Sequence, residues 1–554
     1  MQVIVLQLVA NCLFAQYALC LIRANRIVFG FDIEVLMDAS LPQIPAWLRQ
    51  RSTGLLLHLS SLPGEFGIGN MGKPSRELID FLSEAGFSHW QICPVGPTSF
   101  GDSPYQSFSS FAGNPYFLDW NPLLDLGLVE EDDLSTLQAL PFDSVAYGDL
   151  YERFWIVARK AALQFEGKRP ELESIYGSYE DFISEKNSWI ESYALFCALK
   201  AENEKKPWWL WPEELRTFEK ARHRLSDSEL SEEINLHYFL QYLFFGQWKA
   251  LRSYADSRKI SILGDLPIYV APDCADVWQR PDLFLLDITT GLPTAVAGVP
   301  PDYFNPLGQL WGNPLYDWPA HQAEGYAWWL ERLAAQNDLF DVTRIDHFRG
   351  FHDYWSIPAD HDDAREGVWE SGPGSEFFEV VLERFPALPF LAEDLGLLND
   401  GVHALRKSTN LPGMAVLQFA FDGDPANLYL PHNLHQDLVL YTGTHDNDTS
   451  LGWYESADEE VRGNFRSYLS VSGEDATWDL LRAAYRTVSN LVVVPMQDLL
   501  SLGSEARLNR PGHAFGNWAW RMTSKQFASL SLETATYLRE QAKASGRLPL
   551  GAKA

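Results

Sequence analysis

Eight short apolar runs, each closing on polar residues, constrain this chain more than any other feature. In order they are Thr53–Ser60, His89–Gly96, Ile260–Val270, Asp341–His347, Phe390–Gly396, Gly413–Phe421, Leu438–Asp446 and Leu491–Leu500. Runs of this length, rich in Leu, Val and Ile and stopped by turn or polar residues, read as strands. They are nearly continuous rather than alternating, which is the pattern of parallel strands covered on both faces by helices. Amphipathic segments stand between several of them. Ser75–Ala85 is one, with Pro74 suited to its first turn, and Tyr326–Ala335 is another. Eight such strands with intervening helices predict an α/β chain, a (β/α)8 TIM barrel.

A barrel of this kind needs about 250 residues, whereas the runs extend from residue 53 to residue 500. Large, mainly helical insertions must therefore interrupt it. The reading places a catalytic barrel over 37–554, with inserted subdomains at about 121–250 and 272–318. The first is Trp-rich and helical, as in Asn187–Lys200 and Leu236–Leu251. The second is rich in Pro, Gly and aromatic residues and reads as a long ordered loop, a kind that is usually functional. Residues 1–36 read as an extension outside the fold, with Met37 as the start. Met1–Ile22 carries no charge, so it lacks the basic start of a signal peptide, and Gln7, Asn11 and Gln16 interrupt it as an anchor. An anchor and a cleaved signal stay open as alternatives.

Composition removes some functions. With 74 acidic against 43 basic residues the net charge is −31, which excludes nucleic acid as the main partner. Cys12, Cys20, Cys93, Cys197 and Cys274 form no CxxC pair, so neither a disulfide framework nor a zinc site is indicated; reduced thiols and a cytoplasmic location fit best. Gly67–Gly72 (GIGNMG) matches a dinucleotide fingerprint in form, but Gln91–Pro97 supplies no acid for a ribose. Those glycines read instead as a tight loop close to a ligand or another backbone. His361-Asp362-Asp363 and His445-Asp446-Asn447-Asp448 lack metal-site spacing. The 20 tryptophans can fill a core or line a sugar-binding groove.

Barrel chemistry sits at the carboxyl ends of the strands. Those ends carry His58, Asp265, Asp346, Glu393, Asp446 and Asp498. Arg344 and Asp346 are two apart on one strand, so both point into the mouth, where the cation favours an ionised Asp346. An ionised carboxylate opposite a protonatable one is what glycoside chemistry requires. A structural Arg–Asp pair closing the barrel is the plain alternative.

The runs Asp341–Phe351 (DVTRIDHFRGF), Ala392-Glu393-Asp394 and Thr442–Thr449 (TGTHDNDT) resemble the α-glucan-active barrel enzymes. Gly101–Gln106 (GDSPYQ), Gly264–Ala271 (GDLPIYVA), Pro300–Pro314 (PPDYFNPLGQLWGNP) and Asn509–Trp518 (NRPGHAFGNW) narrow the resemblance to the 4-alpha-glucanotransferases, or amylomaltases. It runs from about Arg51 to Arg521. It implies a retaining double displacement with Asp346 as nucleophile, Glu393 as acid and base, and Asp446 holding the 2- and 3-hydroxyls of the scissile glucose. Glu393 should then hold its proton in the free enzyme. The resemblance places Tyr105, Asp265, Tyr303, Phe304, Trp311, Asn313, Arg344, His347, His445 and Asn509 around the substrate. It implies no cofactor and no metal. The partners it implies are maltooligosaccharides and starch- or glycogen-derived glucans, with glucose as acceptor, and no membrane. The acid triad is shared with hydrolases, so an α-glucan hydrolase is the alternative; a glucan binder without turnover and a metal-dependent barrel hydrolase stand further off.

Overall fold

Each of the eight apolar runs contains a strand in the computed structural model, which describes residues 44–301, 305–396, 398–513, 515–530 and 532–549. Residues 1–36, Tyr303 and Phe304 lie outside the described residues. In chain order the strands are β1 Ser52–Leu56, β2 His89–Gln91, β3 Ser261–Leu266, β4 Ala295–Val299, β5 Gln309–Pro314 and β6 Val342–Ile345. They continue with β7 Asp353–Pro358, β8 Val368–Ser371, β9 Phe390–Ala392, β10 Gly413–Val416, β11 Leu438–Tyr441 and β12 Leu491–Pro495. Eight of them pair in parallel in the order β10-β11-β12-β1-β2-β3-β6-β9. At the seam the Ala392 N–H donates to the Pro412 carbonyl at 2.9 Å, so the sheet curls into a nearly closed barrel.

Leu56, Leu263, Val342, Leu391, Met414, Val416, Val439, Tyr441, Leu491 and Val493 form one apolar cluster drawn from seven of the eight barrel strands. Leu48, in the 3-10 turn Ala46–Leu48, joins this cluster, and the Trp47 indole N–H donates to the Leu388 carbonyl at 2.9 Å. A second tie joins β1 to β12. The fully buried Arg547 guanidinium donates to five carbonyls, of Ser52, Tyr485, Thr487, Ser489 and Asn490, at 2.8 to 3.1 Å. These strand starts are thus spanned by one cation held in backbone oxygens rather than by a carboxylate.

The stretch between β2 and β3 is helical, with long helices at Tyr147–Tyr176, Asn187–Glu202 and Ser231–Ser257. The last runs straight into β3. Its Gln241 and Gln247 exchange paired hydrogen bonds with the backbones of Gly113 and Asp119 at 2.8 to 2.9 Å, fixing the chain that leads back from β2. The helix expected at Ser75–Ala85 spans Lys73–Ala85, with Pro74 in its first turn.

The segment 272–318 is not a loop. It contains β4 and β5, which pair antiparallel with each other, and β4 pairs with β7, giving a second sheet of order β5-β4-β7-β8. Its strands hide in the sequence because they are short, glycine-bearing and completed by partners from residues 353–371. Several barrel strands also stop earlier than the apolar residues of their runs. After β10 the chain turns into the 3-10 helix Leu417–Ala420, and after β12 into the helix Met496–Leu499. In the GIGNMG loop a Cβ on Gly69 would stand 1.9 Å from the Leu59 carbonyl, so glycine is needed there for backbone approach. Trp90, Trp120, Trp328 and Trp329 are all buried. Among the described residues no helix is long and apolar enough to cross a membrane.

Candidate active site

Asp346 follows the last residue of β6, and Glu393 follows the last residue of β9. Adjacent strands therefore bring them to one end of the barrel. Between them and β3 stands Arg344, 4 % exposed, whose Nη1 lies 2.8 Å from Asp346 Oδ1 and 2.8 Å from both oxygens of Asp265. Its Nε contacts Met414 Sδ at 3.4 Å, so the guanidinium is set into the barrel floor. Burial pushes the Asp265 carboxyl up to about 6 despite that cation.

Glu393 is held by backbone. The His347 N–H donates to Oε2 at 2.7 Å and the Leu395 N–H to Oε1 at 2.9 Å. The His347 bond requires an unusual local geometry: His347 sits in the left-handed region, φ 48° and ψ 50°. A non-glycine residue there carries a conformational cost, and such residues cluster at functional sites. Burial, reinforced by Asp346, outweighs Arg344 and the two N–H groups, and the Glu393 carboxyl rises to about 7. The next acid, Asp394, turns the other way, accepting from the Met414 N–H at 2.7 Å and pairing with Arg406 at 2.8 Å.

Asp446 arrives on the loop after β11. Asn509 Nδ2 donates to its Oδ1 at 2.6 Å, and His445 Nε2 lies 3.4 Å from Oδ2. Burial opposes its charge, but His445, the Asn509 amide and Arg344 together hold Asp446 well below the usual carboxylate range. The Tyr105 hydroxyl donates to Asp265 Oδ2 at 2.9 Å and lies 2.9 Å from His445 Nε2. Burial and the Asp265 charge push that phenol well above its ordinary value. Contacts therefore run unbroken from Asp346 through Arg344, Asp265, Tyr105 and His445 to Asp446.

Trp311, on β5, meets the His347 ring edge-on with centroids 4.9 Å apart. Asn313 is buried; its Nδ2 donates to the Val270 carbonyl at 2.8 Å and its Oδ1 accepts from Gln106, next to Tyr105, at 3.1 Å. Burial lowers the His347 ring to about 4. Two other residues at the strand ends, Asp498 and His58, are buried and engaged with the surrounding protein. Asp498 lies in the helix after β12, buried, and accepts from Thr442 Oγ1, Ser450 Oγ and the Ser450 N–H at 2.6 to 2.8 Å. His58 is 3 % exposed and packs edge-on against Phe117. One contributor escaped the sequence reading. Arg507 donates from Nη2 to the Asp446 carbonyl at 2.6 Å and from Nε to the Asn509 carbonyl at 2.8 Å, locking the two segments together. Its signal was position alone, two residues before Asn509.

A sequence-family profile described as 4-alpha-glucanotransferase matches residues 57–526. The 4-alpha-glucanotransferase of Thermus thermophilus is 46 % identical over 507 residues, covering 90 % of this chain and 99 % of its own. The chain belongs to the 4-alpha-glucanotransferase family. It is an enzyme, a glycosyltransferase on an interrupted eight-stranded barrel. The chloroplastic/amyloplastic 4-alpha-glucanotransferase of Solanum tuberosum is 42 % identical over 511 residues, covering 90 % of this chain and 87 % of its own. The solved amylomaltase from Streptococcus agalactiae in complex with acarbose superposes with a TM-score of 0.84 at 37 % identity, covering 90 % of this chain and 100 % of its own.

Proposed function

We propose that this 4-alpha-glucanotransferase moves α-1,4-glucan segments from a donor maltooligosaccharide to the 4-hydroxyl of glucose or another glucan, by retaining double displacement. Asp346 attacks the anomeric carbon and forms a β-glucosyl ester as the glycosidic bond breaks. Glu393 gives its proton to the departing oxygen, then takes one from the acceptor hydroxyl that displaces Asp346. Asp446, fixed by Asn509 and His445, holds the 2- and 3-hydroxyls of the scissile glucose. Tyr105, Asp265, Trp311, Asn313, Arg344, His347, His445 and Asn509 surround the sugar.

The observation that carries this reading is the contrast between two carboxyls. Asp346 touches a guanidinium at 2.8 Å, while Glu393 is pushed up to about 7 by burial. Environments that separate two acids in this way assign nucleophile and proton donor. Trp311 beside His347 favours transfer, because an aromatic wall there stacks an acceptor sugar and excludes water. Starch- and glycogen-derived glucans are the natural substrates, and the acarbose complex of the Streptococcus amylomaltase supports a glucan-like ligand. Free thiols at Cys93, Cys197 and Cys274 support a reducing compartment such as the cytoplasm.

The test is the product ladder from maltotriose. Glucose and longer maltooligosaccharides should appear with almost no rise in total reducing ends; a steady rise would make the protein a hydrolase. Asp346→Asn should abolish the ladder with an unchanged circular dichroism spectrum, and a fully active variant would remove Asp346 from the mechanism.

A further inference from the structure

The sheet β5-β4-β7-β8 has two unlike faces. Ala297, Tyr354 and Trp311 pack toward the larger core. On the other face Leu310, Gly298, Trp355 and Trp369 stand directly across from one another on successive strands. Directly opposed residues share a face, so these four form a row across the sheet, about 14 Å long at ~4.8 Å per strand.

Trp369 ends the row on the edge strand β8 and is 43 % exposed. The Arg349 guanidinium carbon lies 3.8 Å from its ring centroid, covering one face. The Trp355 ring meets it at 62° with centroids 5.2 Å apart, and Gly367 makes room for Trp355, since a Cβ there would come within 2.5 Å of that ring. Covered on one face and braced at its side, the indole offers its remaining face to solvent.

That face is tied to the acid cluster. Arg349, three residues after Asp346, donates from Nε to Asp353 Oδ1 at 2.8 Å. Asn399, six residues after Glu393, donates to Asp353 Oδ2 at 2.6 Å. The loops leaving both acids thus converge on the support of Trp369. These loops border the mouth from which a polymeric glucan reacting at Asp346 would extend. Its pyranose rings present apolar C–H faces that suit an indole.

We propose that Trp369, backed by Arg349 and Trp355, is an outer platform for the distal glucose units of long α-1,4-glucans. This rests on the glucanotransferase reading and adds a dependence on chain length to it. Trp369→Ala and Trp369→Phe are compared with the unmodified protein in two assays: kcat/KM on amylose against maltotriose, and migration in native gels containing amylose. In Trp369→Ala the amylose-to-maltotriose ratio of kcat/KM should fall about three- to ten-fold and the retardation by amylose should weaken, with Trp369→Phe in between. An unchanged ratio and unchanged retardation would overturn the platform. So would an equal loss on both substrates, which would place the effect at the acids, or a changed gel-filtration mass, which would make the face a contact between copies. If the unmodified protein failed to disproportionate maltotriose, the functional reading would fall instead; retention of Asp346→Asn in the amylose gel separates that failure from loss of binding.

Discussion

Glu393 and Asp394 are neighbours whose surroundings give them opposite tasks. Asp394 is spent on the Arg406 cation and a backbone N–H of β10, so it holds the barrel wall. Glu393 faces the mouth, and burial raises its carboxyl to about 7. In the general-acid role proposed for it, it must be protonated in the free enzyme, so kcat/KM on maltotriose should fall as pH rises through about 7. The same shift affects stability. The folded value lies above the ordinary 4.5, so the contribution of the neutral form is complete below pH 4.5 and is lost as pH rises through about 7. Glu393→Gln should therefore cost activity by about 10²- to 10⁴-fold. It should also melt higher than the unmodified protein at pH 8 but not at pH 4, in paired thermal scans. A melting-point difference independent of pH would show that the buried carboxyl is not the cause.

At the scale of elements, the small sheet owes its packing to a residue with no side chain. A Cβ on Gly298 would stand 2.2 Å from the Gln309 carbonyl and 2.6 Å from Ile357 Cδ1. Gly298→Ala should destabilise this sheet by about 1–3 kcal/mol, the usual cost of overpacking, and limited proteolysis should then cut near β4 and β5 before the barrel is lost. The barrel strands were legible because each is an apolar run buried on both faces, and that pattern survives in the sequence alone. β4 and β5 were not, because Ala-Val-Ala-Gly-Val acquires its meaning only opposite β7, more than fifty residues on. Among the site residues, acids at strand ends and the Arg344 spacing could be read directly. The true place of Asp498 could not, since it depends on β12 giving way to a helix within one residue of Pro495. Arg507 and Trp369 were silent for a similar reason: each matters through a partner from another part of the chain, Asp446 for one and Arg349 for the other.

At the scale of the molecule, Arg547 in its cage of five carbonyls ties β1 to the residues leading into β12. Arg547→Met would take this donor from all five buried carbonyls, of which Asn490 keeps the Ser52 N–H and Tyr485 keeps Arg51. It should lower unfolding free energy by at least about 3 kcal/mol, measured by urea titration, while the maltotriose product pattern of the folded fraction stays the same. A variant as stable as the parent would mean that water replaces the guanidinium there. The tie also bears on how the chain comes to be folded. β1 pairs with β12, and Ser52 faces Leu491. On a ribosome adding ~5–20 residues per second, β1 waits about 20–90 s for that neighbour to be made. Throughout that interval one edge of β1 is an open template for strangers. A protein built in this way depends during its synthesis on whatever keeps that edge covered, and production at low temperature or with added chaperone should raise its soluble yield more than any change at the active site.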